Sequence, residues 1–474
     1  MTFVKRIGSL QEIAAALVRD EPALLSSLDF GPFVRQGIGP GPSVWIGDQV
    51  GIPLLSPDRV GNHDHRLAPL AVEGDIVVVR TRDPAFEAYL ADHLGIRGVT
   101  FLEADATGLS PVAEQCRSTP RLLEPLAKTL RDHGSMTLQP FVSNGHAWRL
   151  AADLGALAGS TVHVAGPGPR AMRRSNDKLW FWALARKIVG AGSVPPTWAA
   201  YGPSGAAGHV AHLIRRYGQA VVKVPDSAGA AGNLRIDPEK LPSCSVSAIR
   251  TFLLHQLAAL GWDETYPVLV GVWESGVTQS PSAQVRIPAP EDGPPAVLAV
   301  SEQAVEGETG AFVGARPAHL PPVLHARIID EAVAIGTVLQ RIGYFGPCSF
   351  DAVLRDGRDG TAEVHWIECN GRWSGVSIPL AAVARLRHGQ SAGGIVIFQD
   401  KLVAPHITGT AGLCAALGDL LYRDGDAEGL MILSPPPDDD YLVFNAVAMA
   451  ESQPRAEDIA QAALSRLGSR VQSP

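Results

Sequence analysis

The segment Ser349–Gly375, SFDAVLRDGRDGTAEVHWIECNGRWSG, gathers residue types that hold cations and anions. Successive side chains of a strand point to opposite faces. Over Cys348–Arg355 this puts Phe350, Ala352 and Leu354 on one face and Asp351 on the other. Over Glu363–Asn370 it puts Ile367 and Cys369 together, with Glu368, Asn370 and then Arg372 opposite. Asp356-Gly357-Arg358-Asp359-Gly360 between them is a hairpin turn signal. Paired in this way, the strands bring Asp351 beside Glu368 and Asn370. Two carboxylates and an amide oxygen make a hard donor set suited to Mg²⁺, above all when phosphate oxygens complete its shell. Arg372 adds a planar fork for a phosphate or carboxylate. Periodicity alone favours a plainer reading, a surface hairpin whose polar face meets water.

A second stretch, Ala220–Ile236, AVVKVPDSAGAAGNLRI, carries an apolar strand with Lys223 near its end. The loop Asp226–Asn233 follows, with Ser227, Gly229 and Gly232 among its small residues. Small side chains let backbone N–H groups close around phosphate oxygens, and a strand-end lysine neutralises the same anion. A flexible loop beside a lysine is the plain alternative. No GxxxxGK[ST] pattern occurs, which argues against a P-loop NTPase. Lys178 follows Asn176-Asp177 near a helix start; alone it reads as a solvated helix residue. The chain has only seven lysines against 33 arginines, so a lysine kept at such a place is informative.

These residues need a framework to position them. The chain has 474 residues, 46% hydrophobic and 19% charged, enough for two to four domains with large cores. A net charge of −8 without a basic run argues against a nucleic-acid-coating protein, and no long uninterrupted apolar stretch suggests a membrane span. The N-terminal stretch reads as an amphipathic helix and not as a secretory signal. Five widely spaced cysteines suit a reducing cytoplasm. Strands at Val44–Ile46 and Asp75–Val79, with helices over Pro84–Leu94 and Arg121–Arg131, suggest an open α/β domain over 1–165, ending at Gly166-Pro167-Gly168-Pro169. A helix over Asn176–Val189, capped by Asn176 or Ser175, opens the next section. It continues with strands at Ala220–Val224, Val268–Trp273 and Val297–Gln303, and with helices over Val246–Leu260 and Leu324–Ile342. Helices near Ala411–Arg423 and Ala456–Leu467, with a strand at Tyr441–Ala446, are expected in an appended C-terminal region.

Taken in order, the three motifs resemble the ATP-grasp superfamily. In that family a lysine at a "DK" helix start and a second lysine on a later strand hold nucleotide phosphates. A glycine-rich loop covers them, and a late strand pair supplies Asp and Glu-x-Asn for two Mg²⁺ ions. Here Lys178 and Lys223 match the lysines, Asp226–Asn233 the loop, and Asp351, Glu368 and Asn370 the metal ligands, with Arg372 completing Glu-x-Asn-x-Arg. The resemblance spans about 165–385 and implies an α/β fold in four parts. These are a pre-ATP-grasp domain (1–165), a first ATP-grasp subdomain (166–262), a second with the metal site (263–385) and a C-terminal extension (386–474).

The layout also resembles the pheganomycin-type peptide ligases. That implies an ATP- and Mg²⁺-dependent (or Mn²⁺-dependent) cytoplasmic ligase of natural-product biosynthesis. It would join a small, amino-acid-like carboxylate to an amine or peptide acceptor, above all the amine of a peptide, through an acyl phosphate, without nucleic-acid or membrane partners. The chain departs from the pattern in two places. Many relatives have arginine two residues before the first metal Asp, where this chain has Ser349; Arg286 is the candidate substitute. Relatives also tend to have acidic residues after the adenine-contacting strand; here Trp273 and Glu274 fill that place. Other ATP-grasp chemistry, a kinase or a carboxylase, and a non-catalytic nucleotide-binding module are the alternatives. Ser175-x-x-Lys178 matches a nucleophile pattern, but no Lys-Thr-Gly accompanies it. His63-Asp64-His65 reads as a solvated loop, and Cys348 and Cys369 as small core residues.

Overall fold

The computed structural model describes residues 3–26, 28–52, 54, 63–105, 110–227, 232–307, 310–357, 361–390, 392–404, 406–437 and 441–470, with side chains from residue 8 onward. Gly229, most of the glycine-rich loop (228–231) and residues 358–360 of the hairpin turn lie outside the described residues.

The first sheet is parallel and has six strands: β1 (Val34–Gln36), β2 (Ser43–Ile46), β3 (Ile76–Val79), β4 (Thr100–Glu103), β5 (Ser135–Pro140) and β6 (Thr161–Val164). Their spatial order is β1-β6-β5-β2-β3-β4. Parallel strands are covered on both faces and read as continuous apolar runs, as in the Ile-Val-Val-Val of β3. Val44, Ile46, Ile76 and Val78 face a core completed by the helices Val112–Ser118, Pro120–His133 and Gly145–Ala158. Trp45, Val77 and Val79 face the opposite way, into a core shared with the end of the chain. The topology reverses between β2 and β5. Such a switch point leaves a crevice beyond the carboxyl ends of the strands.

The second sheet holds β7 (Thr197–Ala200), β8 (Ala220–Lys223), β9 (Asn233–Ile236) and β10 (Val268–Gly271) in the order β7-β10-β8-β9. The helices Pro203–Tyr217 and Val246–Ala259 cover one face, against which Ala220, Val222, Val268 and Val270 pack. Alternation therefore sends Val221, Lys223, Leu269 and Gly271 to the other face, where they line a narrow cleft.

The third sheet has ten strands: β11 (Val277–Gln279), β12 (Pro281–Ile287), β13 (Ala296–Glu306), β14 (Ala311–Pro317), β15 (Gly346–Asp356), β16 (Ala362–Asn370), β17 (Gly394–Val403), β18 (Gly429–Ile432), β19 (Leu442–Ala450) and β20 (Ser469–Arg470). Ala283, Val285, Cys348, Phe350 and Trp366 on its inner face pack on the helix Pro322–Arg341. The C-terminal stretch carries the expected helices, Gly409–Leu417 and Gln453–Leu467, but is not simply appended. Its strands β17–β20 continue this sheet, with β17 paired to β14. They share a core with the first sheet, and Tyr89 Oη accepts from Ile432 N at 2.9 Å.

Candidate functional site

The site starts with a helix register. Asp177, and not Asn176 or Ser175, caps the helix Lys178–Ile188, accepting from Leu179 N at 2.9 Å and Trp180 N at 3.1 Å. Asn176 ends a separate preceding helix, Pro169–Asn176. Lys178 shares a helix face with Phe181 and Ala185, at i+3 and i+7, and both of these are in the core. The Lys178 side chain is therefore drawn inward and buried, not solvated. Its ammonium meets Glu368 Oε2 at 3.0 Å and donates to the Ser227 carbonyl, at the start of the loop.

The hairpin of β15 and β16 supplies the carboxylates. Asp351 pairs with Glu368 and Ser349 with Asn370. Strict alternation fails at one point: a bulge between Asp351 and Ala352 makes the next partner Trp366. Trp366 and Cys369 therefore occupy the core, while Ile367, expected on that face, lines the narrow cleft instead. Asp351 accepts from Ser282 Oγ at 2.6 Å and from Asn370 Nδ2 at 3.0 Å. Arg372 donates to Asn370 Oδ1 at 2.9 Å and to Asn176 Oδ1. Gly371 is needed here because a β-carbon would collide with Ser175 Oγ. Its carbonyl accepts from Asn176 Nδ2 at 3.2 Å, tying the hairpin to the helix before Lys178.

Charge follows this geometry. Burial and the adjacent Glu368 charge push Asp351 up to about 6, against its hydrogen bonds. Burial also pushes Glu368 up, but Lys178, Lys223 and Arg372 outweigh it and hold that carboxyl below the ordinary range. Burial lowers Lys223 to about 8, with Lys178 adding to the shift and Glu368 and Glu274 opposing it. The chain has thus brought two ammoniums and a guanidinium around one carboxylate, beside a second carboxylate that resists ionising.

The remaining expected residues are placed differently. Arg286 is exposed and pairs with Pro347, four positions along β15 from Asp351. It lines a separate pocket and not the cavity around Asp351. Glu274 lies near Lys223, but its oxygens are engaged by Arg355 Nη1 at 2.7 Å and His365 Nδ1 at 2.9 Å. Trp273 has the Arg235 guanidinium 5.4 Å from its ring centroid. Ser227 is buried, with its hydroxyl on the Val224 carbonyl at 2.9 Å, and Gly232 packs against it so closely that a β-carbon would collide.

A cavity of about 230 Å³ holds Asp351, Glu368, Asn370 and Arg372. Gln49, His63 and Arg66 reach it from the first sheet's switch-point side. His63-Asp64-His65 is buried at the start of a 3-10 helix, not a solvated loop. Arg66 donates to Gln399 Oε1 at 2.8 Å and Asn445 Oδ1 at 2.6 Å, joining the start and end of the chain. Sequence reasoning missed these residues, and also Ser282 and Gln284. Of these, only the polar alternation inside the apolar Pro281–Ile287 carried a signal. The donor set of two carboxylates and an amide oxygen fits a hard cation. Among the described residues no cluster of three or more His, Cys, Asp or Glu offers a competing metal site.

Comparison with known proteins turns on this architecture. The Pre ATP-grasp domain family model matches residues 64–156. The structure of the ADP complex of N5-carboxyaminoimidazole ribonucleotide synthetase superimposes with a TM-score of 0.57 at 12% identity, covering 90% of this chain and 97% of that one. This chain has the ATP-grasp fold. The Thermus thermophilus N5-carboxyaminoimidazole ribonucleotide synthetase matches with a TM-score of 0.53 at 14% identity, over 91% and 99% of the two chains. Campylobacter jejuni biotin carboxylase, another ATP-grasp relative in structure, gives 0.52 at 14% identity over 91% and 92%. No curated protein matches in sequence. Among the described residues no helix is long and apolar enough to cross a membrane.

Proposed function

We propose that the chain is an ATP-dependent carboxylate–amine ligase that forms an amide through an acyl phosphate. The observation that carries this reading is the convergence of Lys178, Lys223 and Arg372 on Glu368, next to Asp351. Such a site matches a triphosphate bound with a divalent cation better than it matches a structural ion pair. A purely structural pair would not need three cations, nor a neighbouring carboxylate held at a raised pKa.

In this reading Lys178 and Lys223 hold the nucleotide phosphates. Asp351, Glu368 and, after its amide turns, Asn370 hold Mg²⁺, which supplies charge neutralisation of the phosphate oxygens when bound. Arg372 offsets charge on the transferring phosphoryl group. An oxygen of the substrate carboxylate bonds to the γ-phosphorus while the bond to ADP breaks. The amine nitrogen then attacks the acyl carbon; the carbon–oxygen bond to phosphate breaks and the nitrogen sheds its proton. The resemblance assigns the segment 226–233, of which 228–231 lie outside the described residues, the task of keeping water from the acyl phosphate. Asn176 holds Arg372 in place and joins the two motifs mechanically.

A peptide acceptor and a role in natural-product biosynthesis extend this proposal, in a cytoplasmic setting. A second reading, activation of bicarbonate, draws support from the carboxylase relatives in structure; it requires turnover that depends on added bicarbonate. The experiment is ADP formation with Mg²⁺ and a panel of carboxylic acids and amines. Glu368→Gln is expected to lower the rate at least about 100-fold with an unchanged circular dichroism spectrum. A variant that turned over ATP like the wild type would refute the metal assignment.

A further inference from the structure

A second pocket, of about 610 Å³, adjoins the Asp351 cavity; Gln284 and Trp373 line both. Its volume lies in the range of about 300–1,000 Å³ that encloses organic ligands, far more than bicarbonate would fill. The wall is built from apolar side chains of several elements, among them Val285, Leu298, Phe345, Leu380, Val383 and Ile395. Its charged lining residues are Arg286 and Arg316; among the described residues no Asp or Glu lines it.

The wall shared with the cavity is polar and ordered. Asp351 accepts from Ser282, whose Oγ accepts from Gln284 Nε2 at 2.8 Å. Gln284 Oε1 accepts in turn from Ser374 Oγ at 3.3 Å. Trp373 Nε1 is buried there without a hydrogen-bond acceptor among the described residues. An unsatisfied buried N–H is costly, and an oxygen of a bound ligand would relieve it.

We propose that this pocket seats the body of the acid to be activated, and that the acid is a bulky apolar monocarboxylate bearing an aryl or branched alkyl group. The inference rests on the ligase reading above. The apolar walls take the body, and the carboxylate points through the Gln284–Trp373 wall toward Arg372. Arg286 and Arg316 disfavour a cationic ligand, and the absence of acidic lining leaves an ammonium without a counter-charge. Arg286 thus gains a role in charge selection at the substrate's body, away from the phosphoryl group for which the sequence suggested it.

Calorimetric titration of the full chain with 3-phenylpropionate, acetate and succinate, each with and without Mg²⁺ADP, tests the pocket directly. 3-Phenylpropionate is expected to bind at least about 100-fold more tightly than acetate, from the apolar area it buries. Ala381→Trp, which fills the pocket, and Leu298→Asp, at an exposed wall position that tolerates a charge, should each weaken it tenfold or more without changing ADP affinity. Equal or tighter binding of acetate or succinate would overturn the assignment, as would aryl binding untouched by both variants. ATP turnover is read separately. Tight aryl binding without ADP formation for any acid and amine sinks the ligase reading alone. Turnover with small acids and no aryl binding sinks the pocket assignment alone.

Discussion

Asp351 is where function and stability pull apart. Its carboxyl is raised to about 6 by burial and by Glu368, so the fold favours its neutral form. Below the unfolded value near 4 both states are protonated and no penalty exists. As pH rises toward 6 the unfolded chain ionises first, and the folded state loses stability, on the order of 1–2 kcal/mol after allowing for solvent screening. Asp351→Asn is therefore expected to raise the melting temperature of metal-free protein at pH 8 and to leave it nearly unchanged at pH 4, while abolishing ADP formation. Equal shifts at both pH values would show that this charge is not strained. The proposed metal role would need Asp351 ionised and the proposed phosphate role Lys223 charged, and Lys223 is lowered to about 8. The profile of kcat/KM for ATP should thus be a bell with limbs near 6 and 8; a flat profile from 5 to 9 would contradict both roles. At this scale the residue types were legible, and their surroundings were not. Lys178 read as solvated because one lysine carries no record of its helix face; Phe181 and Ala185, three and seven residues on, decide that.

The element that positions the cluster is the β15–β16 hairpin, and its bulge explains what alternation missed. A period of two places Ile367 with Cys369, but Ile367, the extra residue just before Glu368, shifts the register and puts Trp366 there instead. Bulges leave no mark in residue type, so the pairing of Asp351 with Glu368 was readable and the switch at the adjacent Ile367 was not. β12 is the converse case. Its Ser282 and Gln284 form a polar row in an apolar strand, and they orient Asp351 and the pocket wall. The close approach of Gly371 to Ser175 is a strict local fit. Gly371→Ala is expected to separate the hairpin from the helix end at Asn176, displace Arg372, and cut kcat at least about tenfold with a smaller change in KM for ATP. Wild-type kinetics for that variant would show that the Asn176 link does not hold Arg372.

Across the whole molecule, the second sheet sits against the large sheet over a cleft of only about 20 Å³, flanked by Lys178, Lys223, Trp366 and Ile367. That is room for about one or two waters and too small for a purine. If Lys178 and Lys223 hold the nucleotide as proposed, its binding moves the β7–β10 unit. Spin labels at Arg250 and Asp330 should show a changed distance distribution with Mg²⁺ATP; an unchanged distribution would mean that the base lies elsewhere. The global arrangement was the least legible level. The turn signals marked individual strands, but nothing local says that β17–β20 extend the large sheet or that Arg66 bridges to Asn445. The β14–β17 pairing of Gly314 with Phe398 spans 84 positions and the Arg66–Asn445 contact 379, and both are set by shared core, not by local pattern.

In the proposed function this site activates a carboxylate by transferring phosphate to it. Turnover of ATP with an acid labelled in both carboxylate oxygens with ¹⁸O, followed by mass analysis of the released phosphate, reads that transfer atom by atom. One ¹⁸O in each phosphate is the expected result, because the acyl phosphate leaves with the oxygen that attacked. Unlabelled phosphate alongside ADP would contradict the claim and mark the turnover as plain hydrolysis or as activation of another oxyanion.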